Sequence, residues 1–227
     1  MAIAEDYLSK SPAQRVANLP PLSGHREINV LESDQIRALS EAMPDHWGAF
    51  VDVAIRTGLR RGELFGLRWE DVRWKHDQIR VVYQLSASGT LVEPKSSAAK
   101  RLVAMSSEGM EILKEHHRTC PESDLGLVFP TTSGKPVHTG NFQRSVWDPA
   151  RRKAGLPQVR MHDLRHTFAS LLIHERQSVK YVQTVLGHAD AQTTLNVYGH
   201  LFEGSGPEAA SCLETALSGT RRRTIDA

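Results

Sequence analysis

One block of β-branched residues, between Gln78 and Met105, interrupts a chain whose apolar residues otherwise recur at helical spacing. That restricts the chain to a mixed α+β class, mainly α-helical. Within the block, QIRVVYQL, TLVEP and KRLVAM are strand-like runs separated by turns at 86–89 and 95–99. Together they predict a small three-stranded antiparallel sheet over 78–105. Upstream, LESDQIRALSEAM offers Ser33 as an N-cap, with Ile36, Leu39 and Met43 on one face. AFVDVAIRTG is an apolar helix stopped by Gly58, and GELFGLRWEDV continues with Leu64, Leu67 and Val72 on its apolar side. Downstream, SEGMEILKEHHR, HDLRHTFASLLIHE, SVKYVQTVLG and AQTTLNVYGHLF are helical, and NFQRSVWDPARRKAGL is a helix bent near Pro149 and ended by Gly155. There is no internal repeat.

Pro20-Pro21 and Ser23-Gly24 break the chain early, so 1–27 is expected to be a linker entering one compact domain over 28–203. A short helix and a basic tail, Arg221 to Arg223, are expected over 204–227. No window approaches the ~18 apolar residues of a membrane span, and the N-terminus lacks a signal pattern. Cys120 and Cys212 make neither a disulfide framework nor a metal knuckle. A reducing, cytoplasmic setting is expected.

The net charge of +2 conceals 20 Arg against 8 Lys, and Arg is the side chain whose planar fork grips phosphate at two points. Residues 1–50 hold 4 basic and 7 acidic side chains, whereas 51–101 hold 10 and 6. A basic middle fits nucleic acid, but a solvated charged face fits equally well.

Chemistry-bearing residues gather at helix ends. Arg60 lies in the tight connection after Gly58, with Glu63 three residues on, able to hold an Arg or a His. His162 and Arg165, at i and i+3, share a face at a helix start, where phosphate is favoured. His166 follows about 100° round the helix and is expected to pack or hydrogen-bond within the fold. Gly187 stops another helix and delivers His188 into a loop. Tyr198 lies ten residues on, and Lys95 sits in a strand turn. Two Arg can stabilise a pentacoordinate phosphate, a Tyr can attack phosphorus, and a Lys can protonate a departing alkoxide. No carboxylate pair, metal motif or phosphate loop is present, and no cofactor is required. A metal-dependent hydrolase built on the 11 His finds support in only one H-x-x-x-H spacing.

Four motifs, TGLRRGEL at 57–64, HDLRHTFA at 162–169, LGH at 186–188 and TTLNVY at 193–198, are together similar to the tyrosine recombinases, including phage-type integrases. The resemblance covers roughly 28–203. It implies the tyrosine recombinase catalytic-domain fold and DNA strand exchange through a 3′-phosphotyrosyl intermediate, without metal or ATP. By the same resemblance, Arg60 and Arg165 clamp the scissile phosphate, His162 is the general base or proton shuttle, and His188 is a second phosphate donor. Lys95 is the general acid, with Lys100 an alternative in the same turn; Tyr198 is the nucleophile and Glu63 a support. Further DNA contacts are expected at Arg61, Lys100, Arg101, Arg144 and Arg160.

The implied partner is a double-stranded recombination site. Monomers are expected free in solution and a homo-tetramer on DNA, built through 208–217. Ala209, Cys212, Leu213, Ala216 and Leu217 form the apolar side of that segment, which packs on its own domain or on a neighbouring protomer. SPAQRV at 11–16 resembles the linker after the family's DNA-clamp domain, so a catalytic piece is expected. A non-catalytic DNA-binding module and a type IB topoisomerase-like nicking–closing enzyme are the alternatives.

Overall fold

The computed structural model describes residues 29–86, 88–94, 99–202, 210, 211, 213–215 and 217. The expected linker 1–27, Lys95 and the basic tail therefore lie outside the described residues.

The apolar helix α2 (Gly48–Thr57) buries seven of its ten residues and packs against α1 (Ser33–Ala42), α4 (Ser107–Thr119) and α7 (Met161–His174). Around it Trp47, Phe50, Phe65, Phe129 and Phe142 meet mostly edge to face, at centroid distances near those of favourable aromatic pairs. The N-cap of α1 is Glu32 rather than Ser33, because the Glu32 amide donates to Gln35 Oε1 at 3.0 Å.

The expected helix through GELFGLRWEDV is short: α3 spans Arg61–Phe65 and stops at Gly66. A Cβ on Gly66 would lie 2.8 Å from the Gln84 backbone, so glycine permits β3 to lie against α3. Beyond it the chain makes β1 (Val72–Arg73), where a helix was expected. The three-stranded antiparallel sheet exists, but its order is β1, β2 (Gln78–Val81), β5 (Arg101–Ala104), with Val72 opposite Ile79 and Ile79 opposite Val103. The QIRVVYQL run divides after Val81. Its end, β3 (Gln84–Leu85), pairs instead with β4 (Leu91–Val92) in a separate two-stranded ribbon.

In the downstream half, α5 (Thr139–Phe142) runs through a π-helical turn, Gln143–Trp147, into α6 (Asp148–Lys153). The wider turn precedes Pro149, whose ring cannot donate and crowds the carbonyl four residues back. A second, smaller apolar cluster joins Phe168, Ala169 and Ile173 of α7 to Val182, Val185 and Leu186 of α8 (Val179–Leu186) and to Tyr198 of α9 (Ala191–Tyr198). The chemistry lies on the seam between the two clusters. Among the described residues no helix is long and apolar enough to cross a membrane.

Candidate active site

Helix α8 ends because Gly187 adopts φ 65°, and the left-handed turn leaves its last carbonyls uncovered. Three consecutive carbonyls each receive a different arginine. Arg101 Nε donates to Val185 O at 2.6 Å, Arg165 Nη2 to Leu186 O at 2.6 Å, and Arg60 Nη2 to Gly187 O at 2.9 Å. These arginines come from β5, α7 and the N-cap of α3. The end of α2 contributes a fourth acceptor, Gly58 O, 2.6 Å from Arg165 Nη1. Two helix C-termini thus direct partial negative charge at the guanidinium groups and fix them.

Glu63 is the carboxylate inside this arginine cluster. Arg101 reaches it with two bonds, Nη1 to Oε1 at 3.1 Å and Nη2 to Oε2 at 2.9 Å. Arg60 adds Nη1 to Oε1 at 2.9 Å and its own amide to Oε2 at 2.8 Å. Burial pushes the Glu63 carboxyl up, but the Arg101 bonds and charge, with those of Arg60, outweigh it and hold the group below its ordinary value. Arg165 is 3% exposed and, among the described residues, has no carboxylate at ion-pair distance. Burial first, then the charge of Arg60, pulls it down to about 9, which leaves it cationic at neutral pH. Three guanidiniums around one carboxylate make a site with surplus positive charge, suited to an anion.

His188 connects this cluster to α9. Its Nε2 lies 3.0 Å from Arg165 Nη2 and its Nδ1 2.9 Å from Thr194 Oγ1. Arginine can only donate, so Nε2 is the acceptor and Nδ1 carries the proton. Burial, then the charges of Arg165, Arg60 and Arg101, pull this imidazole down to about 4 and keep it neutral. The resemblance implies a phosphate donor here; in this structure both ring nitrogens are engaged within the protein.

On α7, His162 and His166 stand one turn apart with rings edge to face, centroids 4.6 Å apart. His162 keeps part of its surface in solvent, and partial desolvation of its ring, followed by the Arg165 charge, lowers it from its ordinary value. The Tyr198 hydroxyl lies 2.7 Å from His166 Nδ1, at hydrogen-bond distance. The hydrogen bond expected of His166 within the fold is therefore made to the residue picked out as nucleophile. Burial pushes Tyr198 up to about 12, with Arg165 opposing.

Arg60, Glu63, Arg165 and His188 are brought together, and His162 and Tyr198 meet through His166. Arg101 requires a correction: expected at the DNA surface, it is buried as a strut between Glu63 and α8. Alternation along β5 carries the signal for this, since Arg101 shares its inward face with Val103. Arg61 and Arg144 are exposed, and Lys100 is exposed with Nζ 2.6 Å from Glu93 Oε2. Arg160 caps α7 through Asp163, its Nη2 at 2.6 Å from Oδ1. Thr194, buried behind His188, was not anticipated. Among the described residues no three His, Cys, Asp or Glu side chains gather as metal ligands.

The Phage integrase family profile matches residues 29–204. The chain belongs to the phage integrase family. That is the family implied by the four motifs, and the fold agrees. This integrase-family chain is 27% identical to a XerC-like tyrosine recombinase of Caldanaerobacter subterraneus subsp. tengcongensis, over 93% of its own length and 61% of the relative's. It is 26% identical to the ICEBs1 integrase of Bacillus subtilis, over 95% and 62%. It thus spans about three fifths of these relatives. The Tn1549 transposon integrase, solved in complex with a circular intermediate DNA, shares the fold at a TM-score of 0.73 and 21% identity, covering 95% of this chain and 74% of that one.

Proposed function

We propose that this integrase-family chain is the catalytic region of a site-specific DNA recombinase. The observation that carries this reading is the seating of Arg60 and Arg165 on the ends of α2 and α8, with the Tyr198 phenol on the neighbouring helix. Arg60 and Arg165 hold the non-bridging oxygens of the scissile phosphate; Glu63, backed by Arg101, keeps Arg60 in place, and the Gly58 and Leu186 carbonyls keep Arg165 in place. Tyr198 Oη attacks phosphorus, the bond to the 5′ oxygen breaks, and a 3′-phosphotyrosyl ester remains. His162 takes the phenolic proton, and Lys95 or Lys100 protonates the departing 5′ oxygen. Attack by a 5′ hydroxyl from a partner strand reverses the step and frees Tyr198. The ester conserves the bond energy, so neither ATP nor metal is needed. His188 joins as a phosphate donor once DNA displaces its present contact.

Residues 28–203 form the catalytic domain in this reading, with 1–27 leading into it and 204–227 leaving it. The substrate is a double-stranded recombination site, which puts the protein on cytoplasmic DNA, with surface contacts from Arg61, Lys100, Arg144 and Arg160. Assembly into a homo-tetramer on DNA uses 208–217. An open groove of about 390 Å3 beside α7, lined by Val30, Leu31, Leu171, Ile173 and Leu201 with Glu32, Ser170 and His174 among them, offers a largely apolar seat, and Leu213 and Leu217 are exposed apolar side chains to fill one.

The test is a covalent trap. The protein is mixed in chelator with nicked duplexes pooled from candidate attachment sites, and denaturing gels reveal any adduct. An adduct that maps to Tyr198 and vanishes in Y198F supports the reading. An adduct elsewhere, or one that requires metal, overturns it. DNA binding that survives with no adduct, when an N-terminal DNA-clamp domain is supplied, points to the non-catalytic module.

A further inference from the structure

Helix α9 buries only two of its side chains, Thr194 and Tyr198, one turn apart on the same face. Each hydroxyl meets the Nδ1 of a histidine: Thr194 that of His188 at 2.9 Å, Tyr198 that of His166 at 2.7 Å. The Tyr198 side chain is 2% exposed and belongs to the α7–α8 apolar cluster. A phosphate on a DNA duplex cannot enter that cluster, so the hydroxyl has to come out to it.

We infer that His166, accepting the Tyr198 hydroxyl at Nδ1, is a positioning residue that latches the nucleophile inside the fold, and that this bond must open before strand cleavage. The inference deepens the recombinase reading and rests on it for the word nucleophile. His166 does not act as the base along this bond. Burial pushes the phenol up to about 12 and the imidazole down to about 4, so both directions oppose transfer of the proton between them. Burial keeps the phenol protonated, and the imidazole keeps it docked. Removing the acceptor leaves a buried hydroxyl unpaired, which favours the undocked state.

The test uses H166F, which keeps a ring without an acceptor, and H166N, whose Oδ1 replaces Nδ1. The readout is labelling of the free protein with a tyrosine-selective reagent, quantified by peptide mass spectrometry. Tyr181, 41% exposed, serves as the internal standard. Tyr198 labelling relative to Tyr181 should rise at least ~5-fold in H166F and stay within ~2-fold of the parent in H166N. Equal labelling in H166F and the parent, or equal labelling in both variants, overturns the latch.

A second measurement stands if H166F fails to fold. In Y198F the His166 ring resonance should titrate at higher pH than in the parent, because the bond to the neutral ring is gone. An unchanged titration overturns the proposal. On the covalent trap, H166F should form adduct faster than the parent, and a slower rate overturns the latch. Neither labelling nor titration involves DNA, so a failure of the recombinase reading, seen as no Tyr198 adduct in any variant, remains distinguishable.

Discussion

Arg101 and Glu63 form a buried, two-bonded ion pair, with side chains 4% and 1% exposed and Nη2 2.9 Å from Oε2. Because Glu63 also takes the Arg60 amide and guanidinium, one carboxylate fixes β5, α3 and, through Arg101 Nε, the end of α8. The pair fixes Arg60 from behind.

Replacing Glu63 by Gln leaves buried guanidiniums without their counter-charge. Breaking one side of such a pair costs about 3–5 kcal/mol, a large share of a domain's stability. Urea unfolding of E63Q should show a correspondingly lower midpoint. E63L with R101M, an apolar pair of similar bulk, should recover most of that loss while leaving Arg60 poorly held and cleavage slow. A double variant no more stable than E63Q would refute the pair as the cause.

Gly187 is constrained twice. Its φ of 65° favours glycine, and a Cβ there would lie 2.8 Å from Arg101 Nη1. Gly155 has a similar φ of 74° but no atom within 4 Å of its would-be Cβ. G155A should therefore pay only the backbone strain of about 1–2 kcal/mol. G187A should lose clearly more in thermal unfolding, because Arg101 must move off Glu63 or Val185 O. Equal losses would show that the contact with Arg101 costs nothing.

Much of this was legible locally. Gly58 and Gly187 stop helices because a left-handed residue is a local demand, visible as glycine after an apolar helical run. The sheet was legible as material but not as pairing. QIRVVYQL supplies two strands to two different sheets, and what divides them is the approach of β3 to Gly66, a contact across some 18 residues of sequence. The arginine seats were hidden for another reason: Val185, Leu186 and Gly187 act through backbone carbonyls, which carry no residue code. Tyr198 reads as an apolar-face residue or as a nucleophile, and its partner emerges only when α7 and α9 are packed.

The histidines set an acid limit on stability. Burial and nearby positive charge hold His166 and His188 at about 4 in the folded chain, against about 6.5 when unfolded. The unfolded state therefore binds more protons between these values, so stability falls as pH drops from about 6.5 toward 4 and is unaffected by these groups above that window. Glu63, held below its ordinary value, adds a loss only at more acid pH. Thermal midpoints should be level from pH 7 to 8 and fall below pH 6.5. H166N should flatten part of that fall, and an H166N slope as steep as the parent's would remove His166 as a contributor.

Arg60 and Arg165 should separate catalysis from stability. The Arg165 guanidinium is 3% exposed and bridges Gly58 O, Leu186 O and His188 Nε2, a fork that a lysine ammonium cannot reproduce. The Arg60 side chain is 36% exposed and is held by Glu63 and Gly187 O at its tip. R165K should lower both the thermal midpoint and the single-turnover rate of adduct formation, the latter by at least ~10²-fold, the scale of losing one preorganised donor. R60K should lower the rate by a similar factor while shifting the midpoint far less, since its charge stays near Glu63 and its site is open to water. If R60K proves as destabilising as R165K, Arg60 is a structural strut like Arg101. If R60K forms adduct at the parent rate, Arg60 is not one of the two arginines that hold the phosphate.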